Sequence, residues 1–289
     1  MKPAPFGHVH ATSVEHAVAV LAESDGEAKV LAGGQSLVPL LAMRLAQPSV
    51  LVDLGRLGGL AGIRDAGDHL EIGAMTRTRD VETSPLVAAA VPLLPAALAH
   101  VGHVTIRNRG TFGGSAAHAD PAAEIPAALR VLDAELVLAG PGGRRAVTAA
   151  DFFRGFLTTA AGPDEVLVAV RVPKQEPGTA VAVQEFARRH GDFALAAVLT
   201  AVRLAPDGTV AHARIAAAGV GPAPVRADAA ERLLTGAVPG PDVIAATAAA
   251  VAGATAPVTD VHAPADYRRH LAAVLTRRCL TPIARRAAA

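Results

Sequence analysis

Residues 29–54 read KVLAGGQSLVPLLAMRLAQPSVLVDL, and the order of segments in this run decides the fold. Lys29–Ala32 reads as a short strand, Gly33-Gly34-Gln35-Ser36 as a turn, Leu37–Leu45 as a helix and Val50–Leu54 as a second buried strand. Upstream, a short strand over Phe6–His10 precedes Thr12-Ser13-Val14-Glu15, which matches a capping box. That box opens an amphipathic helix to about Glu23, stopped by Gly26. The opening is therefore βα-rich, with a glycine turn between strand and helix.

Downstream the pattern changes. Leu60–Ala74 reads as a hairpin around Gly67-Asp68. Pro85 opens a helix expected to run to about His100, with proline in its first turn. Val101–Asp120 is a polar, glycine-rich stretch, and Pro121 starts a helix to about Arg130. Leu136–Ala139 and Arg145–Thr148 flank a Gly-Pro-Gly-Gly hairpin signal, and Val166–Val172 is a strand ended by Pro173. The polar segment Lys174–Thr179 is the best domain boundary. It predicts an N-terminal domain over 1–176 and a C-terminal one over 177–289. The latter shows three strand-like segments, Ala180–Arg188, Ala194–Leu204 and Thr209–Val220. Helices near Arg226–Leu234, Pro241–Ala252 and Pro264–Cys279 follow, giving an α+β arrangement.

Composition excludes several function classes. The 289 residues carry 27 Lys+Arg against 26 Asp+Glu, a net charge of +1, so no basic face is expected for neutralising phosphates of a nucleic acid. Of the basic residues 24 are Arg and 3 are Lys, and Ala occurs 67 times; this is a compositional bias of the whole chain. A single cysteine, Cys279, leaves no disulfide framework, no cysteine-based zinc site and no iron–sulfur cluster held by this chain alone. The N-terminal stretch has no apolar core of signal-peptide length. The longest apolar run, Leu86–Ala99, is 14 residues with two prolines, below the roughly 18–20 that span a bilayer. A reducing, cytoplasmic compartment is the expectation.

Two glycine turns carry the chemistry. The first spans Leu31–Leu37 (LAGGQSL); the second spans Arg107–Ser115 (RNRGTFGGS) and runs into His118-Ala119-Asp120-Pro121. Paired glycines let a backbone approach a ligand closely and turn successive N–H groups toward one anion. The hydroxyls of Ser36, Thr111 and Ser115 add donors. Two such turns can grip a diphosphate from both sides. Neither matches the G-x-G-x-x-G of a Rossmann site or the G-x-x-x-x-G-K-[ST] of a P-loop; a lone Gly-Gly pair is more often only a tight turn, and it is the two together, each flanked by hydroxyls, that point to a ligand.

The stretches Ala32–Leu54 (AGGQSLVPLLAMRLAQPSVLVDL) and Val101–Ala127 (VGHVTIRNRGTFGGSAAHADPAAEIPA) resemble the FAD-binding medium subunit of molybdenum hydroxylases, the flavoprotein subunit of carbon monoxide dehydrogenase and xanthine dehydrogenase type. IGAMTR (Ile72–Arg77), DFF (Asp151–Phe153) and RRHGDFALAAV (Arg188–Val198) extend the resemblance over nearly the whole chain. It implies an α+β protein: a PCMH-type (vanillyl-alcohol-oxidase-like) FAD domain of two α/β subdomains, then a three-stranded antiparallel sheet packed with a helical bundle.

The resemblance also implies roles. Ala32, Gly33, Gly34, Gln35 and Ser36 form the first diphosphate loop, and Thr111, Gly113, Gly114 and Ser115 belong to the second. Asp120 and Glu124 lie near the ribityl or phosphate part. Leu37 and Ile106 are apolar neighbours of the isoalloxazine or adenine, and Phe193 covers the flavin face. The FAD is expected to be noncovalent. The molybdenum cofactor and the 2Fe–2S clusters belong to a large and a small partner subunit, in a heterotrimer or its dimer, with electrons passing through FAD to a terminal acceptor: quinone, NAD⁺ or oxygen. The implied activity is that of an oxidoreductase whose organic substrate is chosen by the large subunit.

Several residues keep a plainer reading beside these. Asp120 is as readily an N-cap for the helix after Pro121, and Phe193 an ordinary strand aromatic. His118 and Asp120 are too few for a metal site. His8 and His10 share one strand face and read as surface residues, and Cys279 lies on an apolar helical face. No catalytic residue and no metal ligand of this chain is expected. The rival to an electron-transfer subunit is a free-standing PCMH-fold flavin oxidoreductase acting on its own small molecule; a non-catalytic scaffold of the same fold is a third reading.

Overall fold

A computed structural model describes residues 2–287. The opening βα pattern builds a three-stranded parallel sheet with Val50–Asp53 at its centre, flanked by Gly7–His10 and Ala28–Leu31. Helix Val14–Glu23 buries Ala17, Val18 and Leu21 against it. Its N-cap is Ser13, whose side chain accepts from the His16 N–H. The start is thus one residue later than a box opening at Thr12 would place it, and Glu15 falls outside the reciprocal position.

A second sheet is antiparallel, in the order Ile63–Asp65, His69–Gly73, Val166–Pro173, Glu135–Gly140, Gly143–Thr148. The hairpins around Gly67-Asp68 and Pro141-Gly142 are those the turn signals predict. The helix expected from Pro85 to His100 is instead two, Pro85–Ala90 and Leu93–Leu98. Pro92 has no N–H for the helical ladder and clashes with a helical residue before it, and Val91 accordingly sits at φ −142°.

The stretch expected as loop, Val101–Asp120, contains helices Val104–Arg109 and Phe112–His118. They lack a large apolar stripe because, Phe112 apart, what they bury is Gly113, Ala116 and Arg107. The Arg107 guanidinium is buried and bonds Glu82 at 2.8 Å, the Val101 carbonyl at 2.9 Å and the Gly102 carbonyl at 3.0 Å.

Beyond residue 179 the sheet has four strands, not three: Ala180–Phe186, Ala196–Leu204, Val210–Ala218 and the two-residue Val225–Arg226. Period-two alternation buries both of its faces. Ala197, Leu199 and Ala201 join the core shared with Leu94, Leu98 and Leu129. Ala196, Val198 and Val202 face the C-terminal helices through Leu275, Cys279 and Leu280. Those helices are Asp228–Leu234, Pro241–Ala254 and Ala265–Ala287, the last longer than predicted and continuing through Pro282. Burial pushes the Cys279 thiol up to about 12, so it is an inert core group at neutral pH. Among the described residues no helix is long and apolar enough to cross a membrane.

Two carboxyl groups approach each other between the N-terminal helices and this sheet. Glu124, buried in the first turn of helix Glu124–Val131, lies beside the half-buried Glu185 on strand Ala180–Phe186. Burial raises Glu124 to about 7, and the nearby Asp120 charge adds to this. Burial raises Glu185 to about 8, with the Glu124 charge adding. Two carboxylates cannot both ionise cheaply there, so the pair keeps a proton at neutral pH.

The Arg107 node is worth about 3 kcal/mol of unfolding free energy, since truncation removes a charged donor from two carbonyls and a buried partner from Glu82. Arg107→Ala should show that loss in denaturant titration; Glu82 retains only Arg79, at 3.0 Å. The carboxyl pair has the opposite pH signature from a salt bridge. Folded values lie above the ordinary 4.5, so its stabilising contribution is complete below that and is lost as pH rises through 7 and 8. From about pH 6 to about pH 8.5 the Tm of the native chain should fall more steeply than that of Glu185→Gln, at about 2–4 °C per kcal/mol; parallel curves would contradict the shared proton.

Candidate functional site

The two glycine turns, 70 and more residues apart in the chain, meet. The first leaves the end of strand Ala28–Leu31; the second rests on Ala74–Thr76, directly after strand His69–Gly73 of the other sheet. The Gly113 N–H donates to the Ala74 carbonyl and the Phe112 N–H to the Thr76 carbonyl, both at 2.9 Å. A Cβ on Gly113 would lie 2.5 Å from the Ala74 Cβ. Gly33 is pressed against the second turn: its Cβ would lie 2.5 Å from the Arg109 carbonyl oxygen, 2.8 Å from the Gly110 Cα and 3.0 Å from the Thr111 N. Gly114 closes the junction from the other side, with a Cβ position 2.5 Å from Thr111 Oγ1 and 3.4 Å from the Ala32 Cβ. Arg77 fastens the seam by donating to the Arg109 carbonyl, and the Thr78 N–H bonds the Gly110 carbonyl at 3.0 Å.

The turns differ in what they can offer a ligand. In the second, the Gly114 N–H donates to Thr111 Oγ1 at 3.1 Å and the Ser115 N–H to the Thr111 carbonyl at 3.1 Å. With Phe112 and Gly113 also engaged, this turn is not the amide cradle expected of it. It presents bare backbone and the Ser115 side chain. In the first, Gly34 adopts φ +74°, a conformation suited to glycine. Among the described residues, the N–H groups of Gly33, Gly34, Gln35 and Ser36 donate to no acceptor of the chain. Gly33, Gly34 and Ser36 are half-buried and Gln35 is exposed; partnerless amides clustered on one turn are suited to an anion.

The remaining candidates spread around this junction. Leu37 is half-buried at the start of helix Leu37–Ala42, and Ile106 is partly exposed, packing on Gly102. Gln35 folds back on the Gly33 carbonyl at 3.3 Å and approaches Gly110. Asp120 is not a helix cap. The helix begins at Glu124 with Ala123 as its N-cap, because Asp120 Oδ1 accepts from the Ala122 N–H at 2.8 Å and makes a local turn first. Burial lowers His118, and the Asp120 charge partly opposes this. Phe193 is 66% exposed, so its core reading fails. Its loop packs at Gly191 against His103, whose ring lies 2.7 Å from the Gly191 Cβ position.

Reading the residues alone missed Ala74, Thr76, Arg77 and Glu185. The first three stand in the IGAMTR stretch (Ile72–Arg77), already singled out for its resemblance, but a role in seating the second turn is visible only once the sheets are assembled. For Glu185 the signal was a lone acid in a mostly apolar strand run, Ala180–Phe186.

Comparison with known proteins accords with this geometry. Residues 4–175 match the family model for the FAD binding domain in molybdopterin dehydrogenase. Residues 181–283 match that for the CO dehydrogenase flavoprotein C-terminal domain. The 6-hydroxypseudooxynicotine dehydrogenase complex subunit alpha of Paenarthrobacter nicotinovorans is 40% identical, over 99% of this chain and 97% of that one. The carbon monoxide dehydrogenase medium chain of Hydrogenophaga pseudoflava is 38% identical over 97% of each. Among solved structures, carbon monoxide dehydrogenase from Hydrogenophaga pseudoflava superposes with a TM-score of 0.95 at 40% identity, covering 97% of this chain and 98% of that one. Quinoline 2-oxidoreductase from Pseudomonas putida 86 gives 0.93 at 39% identity, covering 99% of each. The chain therefore belongs to the family of FAD-binding medium subunits of the molybdenum hydroxylases, an oxidoreductase family.

Proposed function

We propose that the chain binds one FAD noncovalently across the junction of its two glycine turns and serves as the electron-transfer subunit of a cytoplasmic molybdenum hydroxylase. The observation that carries this is the cluster of partnerless amides at Gly33–Ser36 beside the second turn, where a Cβ on Gly110, Gly113 or Gly114 would meet its neighbours at 3.0, 2.5 and 2.5 Å. A diphosphate supplies the acceptors those amides lack, and a dinucleotide is the family's ligand by its model's description. The residues present fit the group.

In this assignment Ala32, Gly33, Gly34, Gln35 and Ser36 bind the diphosphate through backbone N–H groups. Thr111, Gly113, Gly114 and Ser115 form the opposing wall, with Ser115 donating a hydroxyl. Leu37 and Ile106 supply apolar contact to the rings. Asp120, with one carboxylate oxygen taken by Ala122, offers the other to a ribityl hydroxyl. Glu124 acts from behind by keeping the helix after Asp120 in place. Phe193 shields the ring from water, which accounts for an aromatic held on the surface. When bound, FAD supplies the change from one-electron to two-electron transfer; the chain's part is to bind, orient and exclude water.

Electrons are taken to enter from the 2Fe–2S clusters of a small partner, fed by a large molybdenum-cofactor partner, and to leave to a terminal acceptor. Support comes from the relatives: the Paenarthrobacter protein is named as one subunit of a dehydrogenase complex, and another of the same organism is a nicotine 6-hydroxylase medium subunit, 38% identical over 97% of this chain.

Native chain is expected to take up one equivalent of FAD, released on denaturation. Gly114→Val places a branched side chain where Thr111 Oγ1 and Ala32 stand and should weaken FAD binding by at least about 100-fold, or roughly 2.7 kcal/mol. Ser115→Ala, which disturbs no packing, should weaken it about five- to tenfold, the worth of one hydrogen bond. Circular dichroism checks the fold of each. Wild-type affinity in both folded variants, or a chain that takes up no FAD, contradicts the assignment. Substrate-dependent bleaching of the flavin in the isolated chain contradicts the electron-transfer role.

A further inference from the structure

Three side chains on one face of the first sheet have no part in the flavin assignment. His8 and His10 are two residues apart on strand Gly7–His10, so alternation puts both on one face, with ring centroids 4.6 Å apart. The parallel register sets Asp53 of the central strand opposite His10. Asp53 Oδ2 lies 3.5 Å from His8 Nε2 and 3.2 Å from His10 Nδ1. Its other oxygen, Oδ1, accepts the Gly55 N–H at 2.7 Å. The carboxylate is thus oriented from behind, in the manner of an outer-shell hydrogen bond on a ligating group. One ligand atom from each residue lies within 4.8 Å of the other two.

We propose that His8, His10 and Asp53 form a binding site for one divalent transition-metal ion, zinc by preference, that pins the edge strand to the centre of the sheet. The spacing suits it. Bonds of about 2.0–2.1 Å in a tetrahedron place neighbouring ligand atoms about 3.3–3.4 Å apart, and the two nitrogen–oxygen separations straddle that value. Two imidazoles and one carboxylate select zinc, nickel or cobalt over the oxygen-seeking magnesium and calcium. Both histidines are exposed, which gives an ion entry and leaves the fourth position to water. The gain is mechanical. A four-residue parallel strand on a sheet edge has few bonds of its own, and its partner Asp53 is in register with Leu31 on the other side. Leu31 is the residue from which the first glycine turn departs.

The test uses the chain freed of any affinity tag and stripped with chelator, titrated with Zn²⁺ by calorimetry and, for ligand type, with Co²⁺ by visible absorption. One equivalent should bind, with Co²⁺ showing the intense bands of a low-coordinate nitrogen–oxygen site, and Zn²⁺ should raise the Tm. His8→Ala, His10→Ala and Asp53→Asn should each weaken binding by more than about tenfold and abolish the Tm rise, while FAD uptake is retained by the two exposed-histidine variants. Absence of Zn²⁺ binding at about 100 μM, far above the range of structural sites, overturns the proposal. So does binding that is unchanged in the His8→Ala, His10→Ala double variant. Loss of FAD binding by the native chain would refute the flavin assignment and leave this site untouched.

Discussion

The structure depends on one close approach: the backbone of Gly33 against the backbone of Arg109–Thr111. No residue with a Cβ can stand there, because the nearest atoms are main-chain and cannot rotate away. The contact brings a turn of the parallel sheet against a turn carried by the antiparallel one. The cluster of free amides lies where they meet. Gly113 against Ala74 repeats the same constraint one layer deeper. Close packing of bare backbone also explains why the amides of Gly33–Ser36 are left with nothing of their own to bond. A ligand rich in acceptor oxygens completes a junction that the chain alone leaves polar and unpaired.

Much of this was legible beforehand, and the reasons differ by element. The strand–turn–helix order around Gly33 and the hairpin at Gly67-Asp68 follow from local turn chemistry, which tertiary context seldom overrides. The region Val101–Asp120 misled, since helices Val104–Arg109 and Phe112–His118 bury one aromatic, Phe112, and otherwise small residues and an ion-paired arginine in place of an apolar stripe. The break at Pro92 could have been read from its ring but was masked by a continuous apolar run. The two-residue strand Val225–Arg226 had no pattern to show; it exists because Ala216 and Ala217 offer it a ladder.

For the site, residue types pointed to the right turns and not to their division of labour. Which amides are free and which are spent depends on Ala74, Thr76 and Thr111 as acceptors, a matter of assembly and not of local sequence. Glu124 shows the same limit. A glutamate in a first helical turn is ordinary; only the arrival of Glu185 from a strand about 60 residues later makes it half of a proton-sharing pair. That pair sits where strand Ala180–Phe186 meets the helix following Asp120.

The central claim is that the free amides of the first turn receive the ligand. Hydrogen–deuterium exchange of the chain with and without FAD tests it most directly. Exchange at residues 33–36 should be fast in the free chain and slow by an order of magnitude or more when FAD is bound, whereas amides 112–115, already bonded within the protein, should change far less. FAD that binds tightly yet leaves exchange at 33–36 unaltered would contradict the account.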